Sequence, residues 1–230
     1  MRLIGLPHLG FRGRARLIIR EALRASEAHT RILDAGCGYG IYSLTLAEKG
    51  RRNIDSIDLD PMRIQALGHM VAEHPDLMGH IRLQAASVTS LPFPDKSFDL
   101  AICSEVIEHV ADHAMAASEL SRVMKPGGTL IISVPYNSKH NQKIFRKFGH
   151  ERPGYTRSEL SQLFAPYGVT IGKDSHYEYW LGTFLFDAFN LITWKPLMGI
   201  LFYPFYFLYR LDALLSIGQP NGIVVVGKKI

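Results

Sequence analysis

Ile32-Leu-Asp-Ala-Gly-Cys-Gly-Tyr-Gly40 is the stretch whose reading decides the fold. The apolar run Arg31-Ile-Leu-Asp-Ala35 has the length and composition of a buried strand. It ends in glycines at every second position, Gly36, Gly38 and Gly40. Apolar residues at helical spacing follow (Ile41, Leu44, Ala47), which predicts a helix over residues 39–48. Glycine lets the backbone turn sharply and lets a ligand approach the main chain with no Cβ in the way. The free N–H groups of the helix start suit a carboxylate or a phosphate.

The alternation continues down the chain. Residues 54–59 read as a second strand, and Pro61 sits where a helix takes its first residue, with Ile64, Leu67, Met70 and Val71 as its face. Residues 81–85 and 98–103 read as the third and fourth strands. A helix over residues 112–124 is expected to stop at Lys125-Pro-Gly-Gly128, before a fifth strand over 129–134. Thr156-Arg-Ser-Glu159 matches a capping box opening a helix to Phe164. Residues 169–171 and 223–227 read as the last strands. Such a pattern implies an α/β fold, doubly wound, with a mostly parallel seven-stranded sheet covered by helices on both faces. One domain over residues 1–230 is expected: a basic N-terminal helix (1–30), a ligand-binding core (31–175), an apolar insertion (176–219) and the last strand (220–230).

Asp58 lies 18 residues beyond Gly40, at the end of the second strand, where a carboxylate can accept from both ribose hydroxyls of a nucleoside. Asp60, just before Pro61, suits a helix N-cap. A dinucleotide fingerprint asks for its third glycine at position 41, which is Ile41. Leu91-Pro-Phe-Pro-Asp-Lys-Ser-Phe-Asp99 and Lys125-Pro-Gly-Gly128 follow in order. Together these motifs resemble the class I S-adenosylmethionine-dependent methyltransferases of the quinone-biosynthesis kind (methyltransferase type 11). The resemblance covers roughly residues 28–135 and, more faintly, the last strand. It implies a Rossmann-like fold, S-adenosyl-L-methionine as cofactor, and methyl transfer. It sets Asp34, Gly36, Cys37, Gly38 and Gly40 at the methionine end, Asp58 and Leu59 at the ribose, and Ser87 and Val88 at the adenine. The family often has an aspartate where this chain has Ser87, which leaves a hydroxyl or the Val88 backbone to serve. A nucleotide-binding domain with other chemistry and a non-catalytic partner subunit are the competing readings.

Ser104-Glu-Val-Ile-Glu-His-Val110 follows the fourth strand, and open α/β sheets bind ligands at the carboxyl ends of their strands. Ser104 is expected beside the methionine end. Glu105, Glu108 and His109, at i, i+3 and i+4, share a face if the segment is a helical turn. One reading is general-base catalysis by His109, with Glu105 beside it; another is bracing of neighbouring loops. A third comes from resemblance. The Glu-x-x-Glu-His pattern is similar to that of lipid-quinone O-methyltransferases and small-RNA 2′-O-methyltransferases, where it ligates a divalent cation. That implies Glu105, Glu108, His109 and His150 around Mg²⁺, Mn²⁺ or Zn²⁺. His113 reads as helix surface, and His140 and His176 as ordinary.

The 230 residues are 47% apolar and 20% charged, as in a globular protein with one substantial core. A net charge of +5 does not point to nucleic acid by itself, though an RNA 2′-O-methyltransferase is the rival enzyme. Two cysteines, Cys37 and Cys103, build no disulfide framework, and no signal-peptide pattern opens the chain, so the cytoplasm is the expected compartment. Seven arginines crowd residues 1–31, fitting either a helix that caps the sheet or a surface for anionic membrane or substrate phosphate. Residues 180–211 carry only Asp187, Lys195 and Arg210 as charges and are dense in aromatics. Their longest uncharged run, residues 196–209, is too short to span a bilayer. The insertion suggests an apolar or lipid-linked acceptor, with Tyr177, Tyr179 and Trp180 at its mouth and peripheral contact with the inner membrane face. A subunit interface in an oligomer and ordinary core remain open as alternatives.

Overall fold

The computed structural model describes residues 9–179, 207 and 218–230, with side chains from residue 13 onward. The strands are β1 (Arg31–Ala35), β2 (Asn53–Asp58), β3 (Ile81–Ala85), β4 (Phe98–Ser104), β5 (Met124–Pro135), β6 (Val169–Tyr177) and β7 (Gly222–Lys229). They form one sheet in the order β3-β2-β1-β4-β5-β7-β6. The first five are parallel, and β7 runs antiparallel between β5 and β6. The helices are α1 (Leu9–Arg24), α2 (Ile41–Glu48), α3 (Pro61–Ala72), α4 (His113–Arg122), α5 (Lys139–Ile144) and α6 (Arg157–Phe164).

Alternation along each strand divides the core in two. Ile32, Ile54, Leu100 and Ile102 pack under α1, α2 and α3, against Ala15, Ile18, Ala22, Leu46 and Leu67. Leu33, Ala35, Ala101 and Cys103 pack on the other face against Ala116, Leu120, Leu160 and Phe164 of α4 and α6. The sheet reverses direction of winding at β1 and β4. The crevice at their carboxyl ends is where such a sheet takes its ligand.

The helix starts follow from local chemistry. Asp60 caps α3 by accepting from the Met62 N–H at 2.9 Å, with Pro61 just inside. Thr156 and Glu159 form the expected capping box of α6. The Leu-Pro-Phe segment between β3 and β4 is held from α4. Glu119 accepts from the Leu91 N–H at 2.8 Å. The Arg122 guanidinium donates to Glu119 at 2.6 and 2.8 Å, to Asp95 at 2.8 Å, and to the Phe93 and Leu91 carbonyls at 2.8 and 3.1 Å.

Three expectations need correction. Lys125-Pro-Gly-Gly128 does not separate a helix from a strand. It lies inside β5, which begins at Met124 where that residue pairs with Phe98, and a register shift follows on β4. Helix α2 begins at Ile41, because Tyr39 belongs to a turn and Gly40 is the left-handed N-cap with φ 73°. Strand β6 is nine residues long, since it pairs with β7 as far as Tyr177. The aromatic stretch 180–211 falls outside the described residues, apart from Phe207.

Arg122→Ala should remove four acceptors' worth of bonding and leave the Glu119 charge without its partner. A loss of about 1–3 kcal/mol in urea unfolding is expected. An unchanged midpoint would show that the Leu-Pro-Phe segment holds its shape without α4.

Candidate active site

Strand β1 delivers Asp34 to the crevice almost fully buried, 2% exposed. Its carboxylate accepts from the Ser43 hydroxyl at 2.5 Å and the Ser43 N–H at 3.2 Å, both on α2. Burial pushes its pKa up to about 6, against the pull of the Ser43 hydrogen bonds. The chain then turns through Gly36 and Cys37, whose N–H groups both donate to the Ile57 carbonyl at 2.8 Å. Gly36 has φ 77°, and a Cβ there would fall 2.2 Å from Val106 Cγ2, so the glycine loop and the loop after β4 pack on each other. Gly38, at φ 54°, differs: a Cβ would meet nothing within 4 Å. Its backbone therefore faces open space, where a bound group can approach the main chain.

Asp58, at the end of β2, stands beside this open face. It accepts from the Gly38 N–H at 2.8 Å and from the Asp60 N–H at 2.9 Å. Each carboxylate oxygen keeps a second acceptor site, so a ribose diol can still be bound there. Leu59 next to it is 76% exposed, and Val88 is buried. The Ser87 hydroxyl is engaged within its own turn, with Thr89 Oγ1 at 2.7 Å and the Thr89 N–H at 3.2 Å. These residues fit S-adenosylmethionine: an open glycine cradle, a buried carboxylate for a cationic amino acid end, and an acid for a sugar. That cofactor supplies an electrophilic methyl group on a sulfonium.

Helix α1 closes the crevice with a residue that sequence reasoning missed. Arg14 turns inward, and Nη1 lies 2.7 Å from Glu105 Oε2. Glu105 Oε1 accepts from the Tyr177 hydroxyl at 3.1 Å and the Ser133 hydroxyl at 3.2 Å. Burial and the Glu105 charge hold the Tyr177 phenol well above its ordinary pKa, so it stays a neutral donor. Ser104 Oγ lies 3.0 Å from the Tyr42 hydroxyl on α2. Tyr177 is thus walled in behind Glu105 rather than lining a mouth. The signal for Arg14 was available: it lies four and eight residues before Ile18 and Ala22, on the face that helix buries.

The segment after β4 is not the single helical turn expected. Glu105 takes φ 56° and leaves the direction of the short 3₁₀ turn Ile107–His109. Glu105, Glu108 and His109 therefore do not share a face, and the Glu105 carboxylate is directed to α1 and β6. Glu108 is fully buried, and neither of its oxygens has a hydrogen-bond partner among the described residues. Burial first, and then the Glu105 charge, raises its pKa well above the carboxylate range. His109 is exposed, with Nδ1 3.1 Å from the Gly149 carbonyl. The His150 ring stands edge-on to it at 4.5 Å between centroids. Ligand atoms of Glu108, His109 and His150 lie within 4.8 Å of one another, a set that can hold a metal ion. His113 is not simple helix surface: Nδ1 meets the Tyr155 hydroxyl at 2.8 Å.

If Asp34 meets the cationic end of the cofactor, its titration predicts a pH dependence of cofactor binding. A cationic ligand favours the ionised carboxylate, so affinity for S-adenosylmethionine should rise as pH increases through about 6 and then level off. Calorimetry between about pH 5 and pH 8 measures this. Asp34→Asn should bind more weakly at the upper end and show a flat profile. An equally steep profile in that variant would assign the titration to another group.

Residues 33–132 match the family model described as Methyltransferase domain. The chain is 33% identical over 115 residues to a 2-methyl-6-phytyl-1,4-hydroquinone methyltransferase from Synechocystis, covering 50% of this chain and 35% of that protein. It is 33% identical over 125 residues to a ubiquinone biosynthesis O-methyltransferase from Psychrobacter cryohalolentis, covering 54% of this chain and 48% of that protein. The chain thus spans less than half the length of these curated relatives. A geranyl diphosphate C-methyltransferase from Streptomyces coelicolor A3(2), solved with Mg²⁺, geranyl diphosphate and S-adenosyl-L-homocysteine, superposes with a TM-score of 0.72 at 15% identity, covering 94% of this chain and 78% of that one. That likeness shows the shared fold. The segment that holds the glycine cradle, Asp34 and Asp58, residues 33–132, is thus similar to a methyltransferase domain.

Proposed function

We propose that this chain transfers a methyl group from S-adenosylmethionine to an oxygen of an apolar or lipid-linked small molecule, with His109 as general base. The carrying observation is the His109 hydrogen bond to the Gly149 carbonyl. A carbonyl only accepts, so Nδ1 bears the proton and Nε2 keeps its lone pair. His109 is an exposed residue in the loop that follows β4. A hydroxyl must lose its proton to become a good nucleophile, and an imidazole near neutral pH can take it. Two of the curated relatives are named for a phytyl hydroquinone and for ubiquinone biosynthesis, which supports an apolar acceptor. The nearly uncharged composition of residues 180–211 supports the same class. On this reading the chain works in the cytoplasm, at the inner face of the membrane.

A second role for the same residues is favoured by Glu108. A fully buried carboxyl with no hydrogen-bond partner among the described residues, next to two imidazoles, is costly unless something else binds it. A divalent cation held by Glu108, His109 and His150 would satisfy it. Glu105 is not part of that set, since its carboxylate is taken by Arg14, Tyr177 and Ser133.

His109→Gln should lower transfer of labelled methyl into a lipid extract by about 10²–10⁴ while cofactor affinity stays unchanged. Wild-type transfer rates would mean that the acceptor loses its proton elsewhere. Calorimetric titration with Mn²⁺ and Zn²⁺ separates the two roles. Binding in the wild type that vanishes in Glu108→Gln supports the metal, and no heat in either protein leaves His109 as a base alone.

A further inference from the structure

Outside the site, residues 139–149 carry Lys139, Lys143, Arg146 and Lys147 and no acidic residue. All four cations are exposed, and none is ion-paired with a described residue. Lys139 and Lys143 are one α-helical turn apart on α5, and Arg146 and Lys147 follow on the 3₁₀ turn Phe145–Phe148. Asn141 is buried, Ile144 and Phe145 are half-buried, and the four cations face out. Phe148 stands at the end of the cationic row, 61% exposed.

This basic row sits between two features already described. At its start, Asn141 Nδ2 donates to the Tyr136 and Asn221 carbonyls at 2.8 and 2.9 Å, and the Lys139 N–H donates to Gln219 at 3.2 Å. The Asn221 N–H in turn donates to the Glu178 carbonyl at 2.7 Å. The row therefore abuts both chain ends between which the aromatic stretch 180–211 is inserted. At its other end the Gly149 carbonyl accepts from His109, and the Glu151 N–H donates to the Glu108 carbonyl at 2.9 Å.

We infer that residues 139–148 are a docking face for an anionic lipid bilayer. Lys139, Lys143, Arg146 and Lys147 lie on the headgroups, and Phe148 enters the interfacial layer. This rests on the proposed membrane-face location and names the surface that serves it. Cations beside an exposed aromatic ring are the composition of an interfacial contact. A single-stranded nucleic acid asks for several stacking rings along a groove, and among the described residues this face has one exposed phenyl ring, Phe148. Docking here brings the crevice around His109 to the lipid surface, where an apolar acceptor resides.

The test is co-sedimentation of the full chain with vesicles of phosphatidylcholine alone or with about 30% phosphatidylglycerol, at low salt. Each cation near an anionic surface contributes a factor of about five. The triple variant Lys143→Gln, Arg146→Gln, Lys147→Gln should therefore bind anionic vesicles about a hundredfold more weakly. Phe148→Ser should weaken binding by about tenfold. Cofactor affinity should be unchanged in both, which shows that they fold. Binding of the triple variant as tight as the wild type would overturn the assignment of this face while leaving a membrane location in place. No binding of the wild type to anionic vesicles would overturn both. Equal binding to the two vesicle types, or tighter binding to a single-stranded RNA oligomer than to vesicles, would also overturn the inference.

Discussion

The close approach of two loops at the carboxyl ends of β1 and β4 is the constraint on which the rest of the site depends. Gly36 and Val106 are so near that no side chain fits at position 36, and φ of 77° there suits glycine alone. That contact turns the chain off β1 over the Ile57 carbonyl and sets the Gly38 backbone facing open space. It also fixes where the loop after β4 begins, and with it Glu105, Glu108 and His109. One packing contact thus sets the glycine cradle and the loop that carries His109 relative to each other.

Around this contact the charges are arranged so that few are left without a role. Asp34 is buried yet hydrogen-bonded by Ser43, so its carboxylate is costly to ionise and ready for a cation. Glu105 is held among Arg14, Tyr177 and Ser133, tying α1 and β6 to the strand ends. Removing one partner of so enclosed a pair leaves an uncompensated charge, which is why α1 reads as part of the site rather than as a solvated arm. Glu108 is the exception, buried with no hydrogen-bond partner among the described residues, and its neighbours are imidazoles.

The parts of the fold legible in the sequence were those governed by local pattern. β1 through β4 follow from apolar runs and turn residues, and α3 and α6 from Pro61, Asp60 and the Thr156–Glu159 box. Lys125-Pro-Gly-Gly128 misled because breakers in a row read as a stop, whereas an edge-like start to β5 tolerates them. Helix α5 was invisible: Lys139–Ile144 has no apolar stripe, and its buried residue is Asn141. The glycine loop and Asp58 were readable because their chemistry needs fixed spacing. Arg14 was not singled out, since its partner Glu105 lies 91 positions away and only the folded chain joins them. The i, i+3, i+4 argument for Glu105, Glu108 and His109 failed for a local reason, the left-handed turn at Glu105.

A structure of the chain with S-adenosyl-L-homocysteine bound tests the account most directly. It predicts ribose hydroxyls on the Asp58 carboxylate, the amino acid end over Gly36 to Gly38 beside Asp34, and the sulfur directed toward the loop of Ser104 to His109. A nucleoside seated elsewhere, with the Gly38 backbone still facing solvent, would contradict it.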